Sequence, residues 1–188
     1  MLIKQKKFLG NIKISKILFI LPLFFATPFI YDRSLKAGLE FQWNQDSGYR
    51  RLKWFQRDDR KRARNKIFFF LRPSDRRADL LKINMTIPKT FKSTLKEENI
   101  NLCQVKIGGF EGRTKCQNNI PADVEINSDN TSVDIYPYNP IPSDKDSYAV
   151  VFKVFNPKRK GLYQFHSFGQ LSGTITKTYL GSWTIVID

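Results

Sequence analysis

From Lys66 onward the chain is a succession of short β-forming runs, each cut off by turn residues, with no long amphipathic helix between them. "KIFFFLRP" is stopped by Pro73, and "LLKINMTIP" alternates through Leu81, Ile83, Met85 and Ile87 before Pro88. Alternation at period two gives a strand one apolar face, with Lys82, Asn84 and Thr86 on the other. "LCQVKI" ends at Gly108-Gly109. In "VEINSDNTSVDIYP" two β runs, Val124–Asn127 and Ser132–Tyr136, flank four turn-forming residues and predict a hairpin. Tyr148–Phe155 ends at Asn156-Pro157, a strand follows Gly161, and "YLGSWTIVID" closes the chain. "STLKEEN" fits a single helical turn with Ser93 or Thr94 as its cap. About seven strands at spacings of roughly 10–15 residues predict an all-β fold, an antiparallel immunoglobulin-like β-sandwich over residues 66–188. Sixteen Phe and 41% apolar residues are enough for its core.

Residues 38–65 lack that order. Phe41, Trp43, Tyr49, Trp54 and Phe55 stand among charges at neither helical nor strand spacing, which predicts a basic extended arm docked through its aromatics. "RDDRKRARN" (Arg57–Asn65) fits two helical turns, with Asp58 and Asp59 near the positive N-terminal end.

The net charge of +15 is local. Residues 1–37 hold seven basic residues and one acid, and Arg50–Arg77 holds twelve and three. The remainder has thirteen of each sign. A protein that coats a polyanion spreads its charge over a face. The first basic segment precedes Ile17–Ile30, an uncharged run of fourteen residues containing Pro22 and Pro28. A bilayer-spanning helix needs about 20 residues, so a basic leader with a short apolar run reads as a secretory signal over residues 1–37. Ala37 offers a cleavage position with an oversized Leu35 at −3, so an uncleaved signal anchor stays an alternative.

Cys103 and Cys116 are the only cysteines, and in an exported chain they are most simply a disulfide. Two free thiols are the other reading. Zinc is disfavoured, because there is no Cys-x-x-Cys and a single His.

Several ordered blocks carry a family resemblance: "IFFFLRPSDRRADLLKINMTIPKTF", "LCQVKIGGF…TKCQNNIPADVEIN", "VFKVFNPKRKGLYQF" and "YLGSWTIVID". Through them residues 41–188 resemble a cyanobacterial family of exported proteins classed as domain of unknown function 2808. The most specific blocks are the Asn-Pro-…-Gly-x-Tyr-x-Phe segment and the closing "GSWTIVID". The resemblance implies a signal peptide and a β-sandwich-like domain in the periplasm, thylakoid lumen or cell envelope. It brings no catalytic residues.

No catalytic set assembles in the sequence. His166 is the sole histidine and lies mid-strand, where a packed or solvated ring is the ordinary case. The adjacent carboxylates Asp58-Asp59 and Glu97-Glu98 do not face each other on strand or helix. "NSDNTSVD" lacks the spacing of a calcium loop, and "GGFEG" has no Lys-Ser/Thr to meet phosphate. The expectation is a non-enzymatic domain without metal or cofactor. Its basic run, Arg50, Arg51, Lys53, Arg57, Arg60, Lys61, Arg62, Arg64 and Lys66, is the candidate contact to an anionic membrane surface or an acidic envelope or protein partner. Trp43, Trp54 and Phe55 are the candidate aromatic contacts. The plainer reading is a solvated or protein-docking arm, and export argues against nucleic acid. The rival is an exported carbohydrate-binding or hydrolytic sandwich, with Trp43, Trp54 or Trp183 lining a cleft. Subcellular fractionation with alkylation under denaturing conditions tests the compartment. The native chain is expected outside the cytoplasm with neither cysteine alkylated before reduction.

Overall fold

The computed structural model describes residues 48–109 and 112–188. The 1–37 leader and Trp43 lie outside them. Among the described residues ten strands form: β1 (Trp54–Gln56), β2 (Arg64–Leu71), β3 (Leu80–Thr86), β4 (Ile100–Lys106), β5 (Lys115–Ile120), β6 (Ala122–Ile126), β7 (Ser132–Pro137), β8 (Tyr148–Phe155), β9 (Gly161–Leu171) and β10 (Lys177–Ile187). They make two five-stranded sheets, ordered β1-β2-β8-β4-β5 and β10-β9-β3-β7-β6, with antiparallel ladders throughout. The expected antiparallel sandwich is therefore the observed fold, with ten strands rather than about seven.

The inner faces meet in one core. Phe69 is its hub, with ring centroids 5.1 Å from Phe152, 4.9 Å from Phe165 and 5.1 Å from Trp183. Trp183 is fully buried, and its indole N–H donates to the Phe70 carbonyl at 3.1 Å. That bond ties β10 of one sheet to β2 of the other, and satisfies the polar edge of a ring that otherwise sees only hydrocarbon. A smaller apolar cluster lies on the other face of the β1-β2-β8-β4-β5 sheet, where Phe68, Phe70, Val151 and Ala149 pack with Cys103. The Cys103–Cys116 disulfide joins β4 to β5 with Cα atoms 5.7 Å apart. Closing such a loop stabilises by on the order of 3 kcal/mol in the chain-entropy model.

Three expectations are corrected. Of the expected 38–65 arm, the described part, residues 48–65, is built into the sandwich. It supplies β1 and the first residues of β2, and its backbone joins both sheets: Leu52 donates to Ser182 O at 2.8 Å, and Phe70 donates to Lys53 O at 3.1 Å. Leu52 itself is fully buried. The Arg57–Asn65 stretch forms no helix. Its turn closes with Arg62 at φ 60°, Lys61 donating to Asp188 O at 2.7 Å and Arg62 donating to Pro157 O at 3.3 Å. In β3 the inward residue at the start is Leu80, not Leu81, because a register shift between Leu80 and Lys82 inverts the alternation. Leu81 is left 39% exposed. The "STLKEEN" turn is a short 3₁₀ helix at Glu97–Asn99.

The two specific blocks of the sequence now have physical roles. Asn156 accepts from the Asn65 amide at 2.9 Å and donates to the Asp58 and Arg60 carbonyls at 3.0 and 2.8 Å. Gly161 takes φ 147°, and the Tyr163 hydroxyl donates back to Arg159 O at 2.7 Å. That is the tyrosine-corner device of immunoglobulin-like sandwiches. In "GSWTIVID", Gly181 has φ 144°, and a Cβ there would sit 2.6 Å from Arg50 O. Beyond the end of β2, the buried Arg76 guanidinium donates to the Leu71, Pro142 and Asp146 carbonyls and pairs with Asp144 at 3.0 Å. Burial and a hydrogen bond to Asp144 push the neighbouring Tyr148 hydroxyl up to about 12.

Replacing Trp183 by Ala removes the ring that spans the two sheets, and is expected to cost about 3–5 kcal/mol of unfolding free energy. Asn156→Ala leaves the Asp58 carbonyl and the Asn65 amide without partners, while Arg60 O keeps the Ala63 amide, with an expected cost of about 1–3 kcal/mol. Urea denaturation followed by tryptophan fluorescence for Asn156→Ala, and by far-UV circular dichroism for Trp183→Ala, measures both.

Candidate functional site

The register of β2 against β8 determines which side chains leave the sandwich together. Ile67, Phe69 and Leu71 face inward opposite Phe152, Val150 and Tyr148. The alternate residues must then face outward, so Lys66 stands directly opposite Lys153 and Arg64 opposite Phe155. Arg57, just past β1, is hydrogen-bonded through its backbone N–H to Lys66 O at 3.2 Å and to the Asn65 side chain at 3.1 Å. Lys96 comes from the turn before β4, together with Thr94 and Asn99.

These residues line a cleft of about 760 Å³. Arg57, Arg64, Lys66, Lys96 and Lys153 put five cations around it, and its lining contains no carboxylate. Glu98 reaches Lys96 at 3.5 Å without lining the cleft. None of the other four cations pairs with a carboxylate among the described residues. The Arg64 guanidinium lies 5.7 Å from the ring centre of Phe155, a ring that is 59% exposed. The Lys66 ammonium lies 5.0 Å from the Phe68 ring. Burial first, then the charges of Arg57 and Lys153, hold the Lys66 amine below the usual lysine value. Volume and charge suit an anionic ligand of moderate size, since small-molecule sites commonly span about 300–1,000 Å³.

Of the nine basic residues singled out in the sequence, the fold brings three into the cleft: Arg57, Arg64 and Lys66. Arg50 is committed elsewhere, 3.5 Å from the buried carboxylate of Asp75 and hydrogen-bonded to Ser74 O. Arg60 is paired with Asp58 at 2.6 Å, which lowers the Asp58 carboxyl to about 2. Arg51 sits beside Ser182 on β10, and Lys53, Lys61 and Arg62 are exposed away from the cleft lining. Phe55 packs on Phe68 at 6.0 Å and, with Arg57 and Arg113, lines a second depression of about 550 Å³. Trp54 packs against the core. Trp183 is fully buried, so its ring offers no exposed face to a sugar, which removes it from the carbohydrate-binding reading. Lys96 and Lys153 are the functional candidates that the sequence did not reveal. Lys153 carries one local signal: it is the one charged residue of an otherwise apolar strand, at an outward position.

Other polar groups are engaged within the fold. His166 Nδ1 lies 2.7 Å from Ser182 Oγ, which is also 2.6 Å from the Tyr179 hydroxyl. Ser182 is fully buried, and among the described residues no carboxylate is hydrogen-bonded to His166, so the trio lacks both an accessible nucleophile and an orienting acid. Asp123 accepts from Tyr138 at 3.0 Å, whereas Asp134 pairs with Lys82 at 3.0 Å. The side chain of Asn127 closes the "SDNT" turn by accepting from the Thr131 and Ser132 amides, both at 2.8 Å.

The family model described as "Protein of unknown function (DUF2808)" matches residues 43–187, and the chain belongs to that family. No curated protein matches the chain. Among solved structures it is similar to BslA, a bacterial hydrophobin, with TM-score 0.46 and 13% identity over 74% of this chain and 95% of that one. It is also similar to the collagen-binding domain of a Staphylococcus aureus adhesin, with TM-score 0.40 and 12% identity over 71% and 95% of the two chains. A third is ACE19, the collagen-binding subdomain of the Enterococcus faecalis surface protein ACE, with TM-score 0.38, 9% identity and coverage of 71% and 95%.

The lowered Lys66 value has a measurable sign. The unfolded chain holds this proton more tightly than the folded one, so folding stability gains as pH rises from the folded value towards 10.5. Trace acetylation of the folded protein across a pH series is expected to give Lys66 a labelling midpoint below 10.5, moving upward in Lys153→Gln.

Proposed function

We propose that this member of the DUF2808 family is an exported, non-enzymatic binding domain that holds an anionic membrane surface through its basic cleft. One observation carries the reading: five cations from four separate chain segments surround one cleft that no carboxylate lines. Such an arrangement keeps self-repulsion within the fold unless an external anion offsets it. Export is supported by the apolar run behind a basic leader and by the disulfide, which suits an oxidising compartment. Each basic residue at an anionic bilayer contributes about 1 kcal/mol, so the cleft alone is enough for reversible attachment. The contact differs from the one expected of the basic run: it includes Lys96 and Lys153, and excludes Arg50 and Arg60. The carbohydrate-binding or hydrolytic alternative has lost Trp183 as a cleft residue.

Flotation of the full-length chain with anionic and with neutral vesicles tests this. Binding to anionic vesicles is expected at about 0.1 M salt and should fade at about 1 M, where the screening length falls from ~10 to ~3 Å. The Lys66→Glu/Lys153→Glu double variant should lose most of the binding, and Arg51→Glu/Lys61→Glu only a minor part. A wild-type chain that stays unbound on anionic vesicles at the lower salt refutes the proposal. An acidic protein partner would instead appear as retention on an acidic-peptide resin with no flotation.

A further inference from the structure

We propose that the cleft is built for an anion with several phosphate-type charges in a row, an oligophosphate or bisphosphate group, rather than for a single phosphate or carboxylate. This rests on the reading of the cleft as an anion site. Four of the five cations fall into two positions. Arg57, Lys66 and Lys153 form the first: Lys66 and Lys153 are paired across β2 and β8, and both Arg57 and Lys153 act electrostatically on Lys66. Arg64 forms the second, two residues back on the same face of β2 and so about 7 Å along the strand. Lys96 lines the cleft from the turn before β4.

One phosphate carries a charge of about −1.5 to −2, which offsets at most two of the five cations. A volume of about 760 Å³ also leaves such a group surrounded by water. A chain of two or three phosphates reaches from the first position to the second and meets both arginines, whose planar guanidinium groups match phosphate oxygens. One guanidinium and the backbone of the other arginine are held in advance. Arg64 is stacked on Phe155, and the Arg57 backbone is fixed by Asn65, whose amide is in turn held by Asn156.

Calorimetric titration of the full-length chain with inorganic phosphate, pyrophosphate and tripolyphosphate at constant ionic strength tests the inference. Affinity is expected to rise by about tenfold or more from phosphate to tripolyphosphate, since each added charge-assisted contact strengthens binding. Lys66→Gln/Lys153→Gln should abolish that rise, and Arg51→Gln/Lys61→Gln, which removes the same charge elsewhere, should leave it. Removing a like-charged cross-strand pair relieves repulsion, so the cleft variant is expected to melt at or above the parent temperature, which separates lost binding from lost folding. Equal affinity for the three anions, or equal losses in the two double variants, overturns the proposal. Displacement of the protein from anionic vesicles by tripolyphosphate assigns the phosphate to a lipid headgroup. Tight tripolyphosphate binding without flotation assigns it to a soluble anion, upholding this inference while ending the membrane reading. Flotation with no preference for longer phosphates does the reverse.

Discussion

The pairing of β2 with β8 sets almost everything else in this domain. Eight consecutive residue pairs run from Arg64↔Phe155 to Leu71↔Tyr148. A shift by one residue would turn Ile67, Phe69 and Leu71 out of the main core and Lys66 into it. Burial of each large apolar side chain contributes about 1.5–3 kcal/mol, whereas like charges facing each other across a ladder cost a few tenths to about 1 kcal/mol. The core therefore dictates the register, and the opposition of Lys66 and Lys153 is its consequence. A charge arrangement that is unfavourable for stability persists at the outer end of a ladder that stability fixes, and that end is where the cleft lies.

The same logic explains why the basic segment belongs to the domain. Between residues 50 and 63 the chain hydrogen-bonds first to β10, then to β2, then to Asp188 at the end of the chain. Its apolar anchor, Leu52, lies in the core. Asn65 and Asn156 bond to each other inside the fold, and their remaining polar atoms hold the backbone of residues 57–60. Two asparagines, one in β2 and one just past the end of β8, thus place Arg57 beside Lys66, so a structural network positions a binding residue.

Much of this was legible in the chain and some was not. The strands with strong alternation or a dense apolar run, such as Tyr148–Phe155 and the closing "YLGSWTIVID", stood out because burial writes itself into local pattern. β5 was missed because "KCQNNI" is an edge strand with exposed polar residues, held by its partner and the disulfide rather than by its own composition. β1 was missed because three residues carry no period, and Trp54 and Phe55 leave on opposite faces. The site was half visible: the cluster of arginines and lysines could be counted, but not which of them face each other. Lys153 is 87 positions from Lys66 and joins it only through strand pairing. Arg50 and Arg60 looked equivalent to Arg57 until Asp75 and Asp58 claimed them.

The way residues 50–56 bind to β10 and β2 also bears on how copies of the molecule meet. A sheet edge left open invites another chain to extend it. On one flank of the sandwich, β1 is itself an edge, yet the run leading into it caps β10 at Ser182, and Gln56 reaches the Val186 carbonyl at 2.7 Å. The opposite flank ends in β5 and β6, consecutive strands joined at Pro121 that cross from one sheet to the other. Edge-to-edge growth is thereby steered to a flank where a proline interrupts the donors and Gln117, Asn118 and Asn119 keep the surface wet. The register shift between Gln104 and Val105 in the β4–β5 ladder distorts that same edge, so the proline and the bulge together disfavour the addition of a further strand.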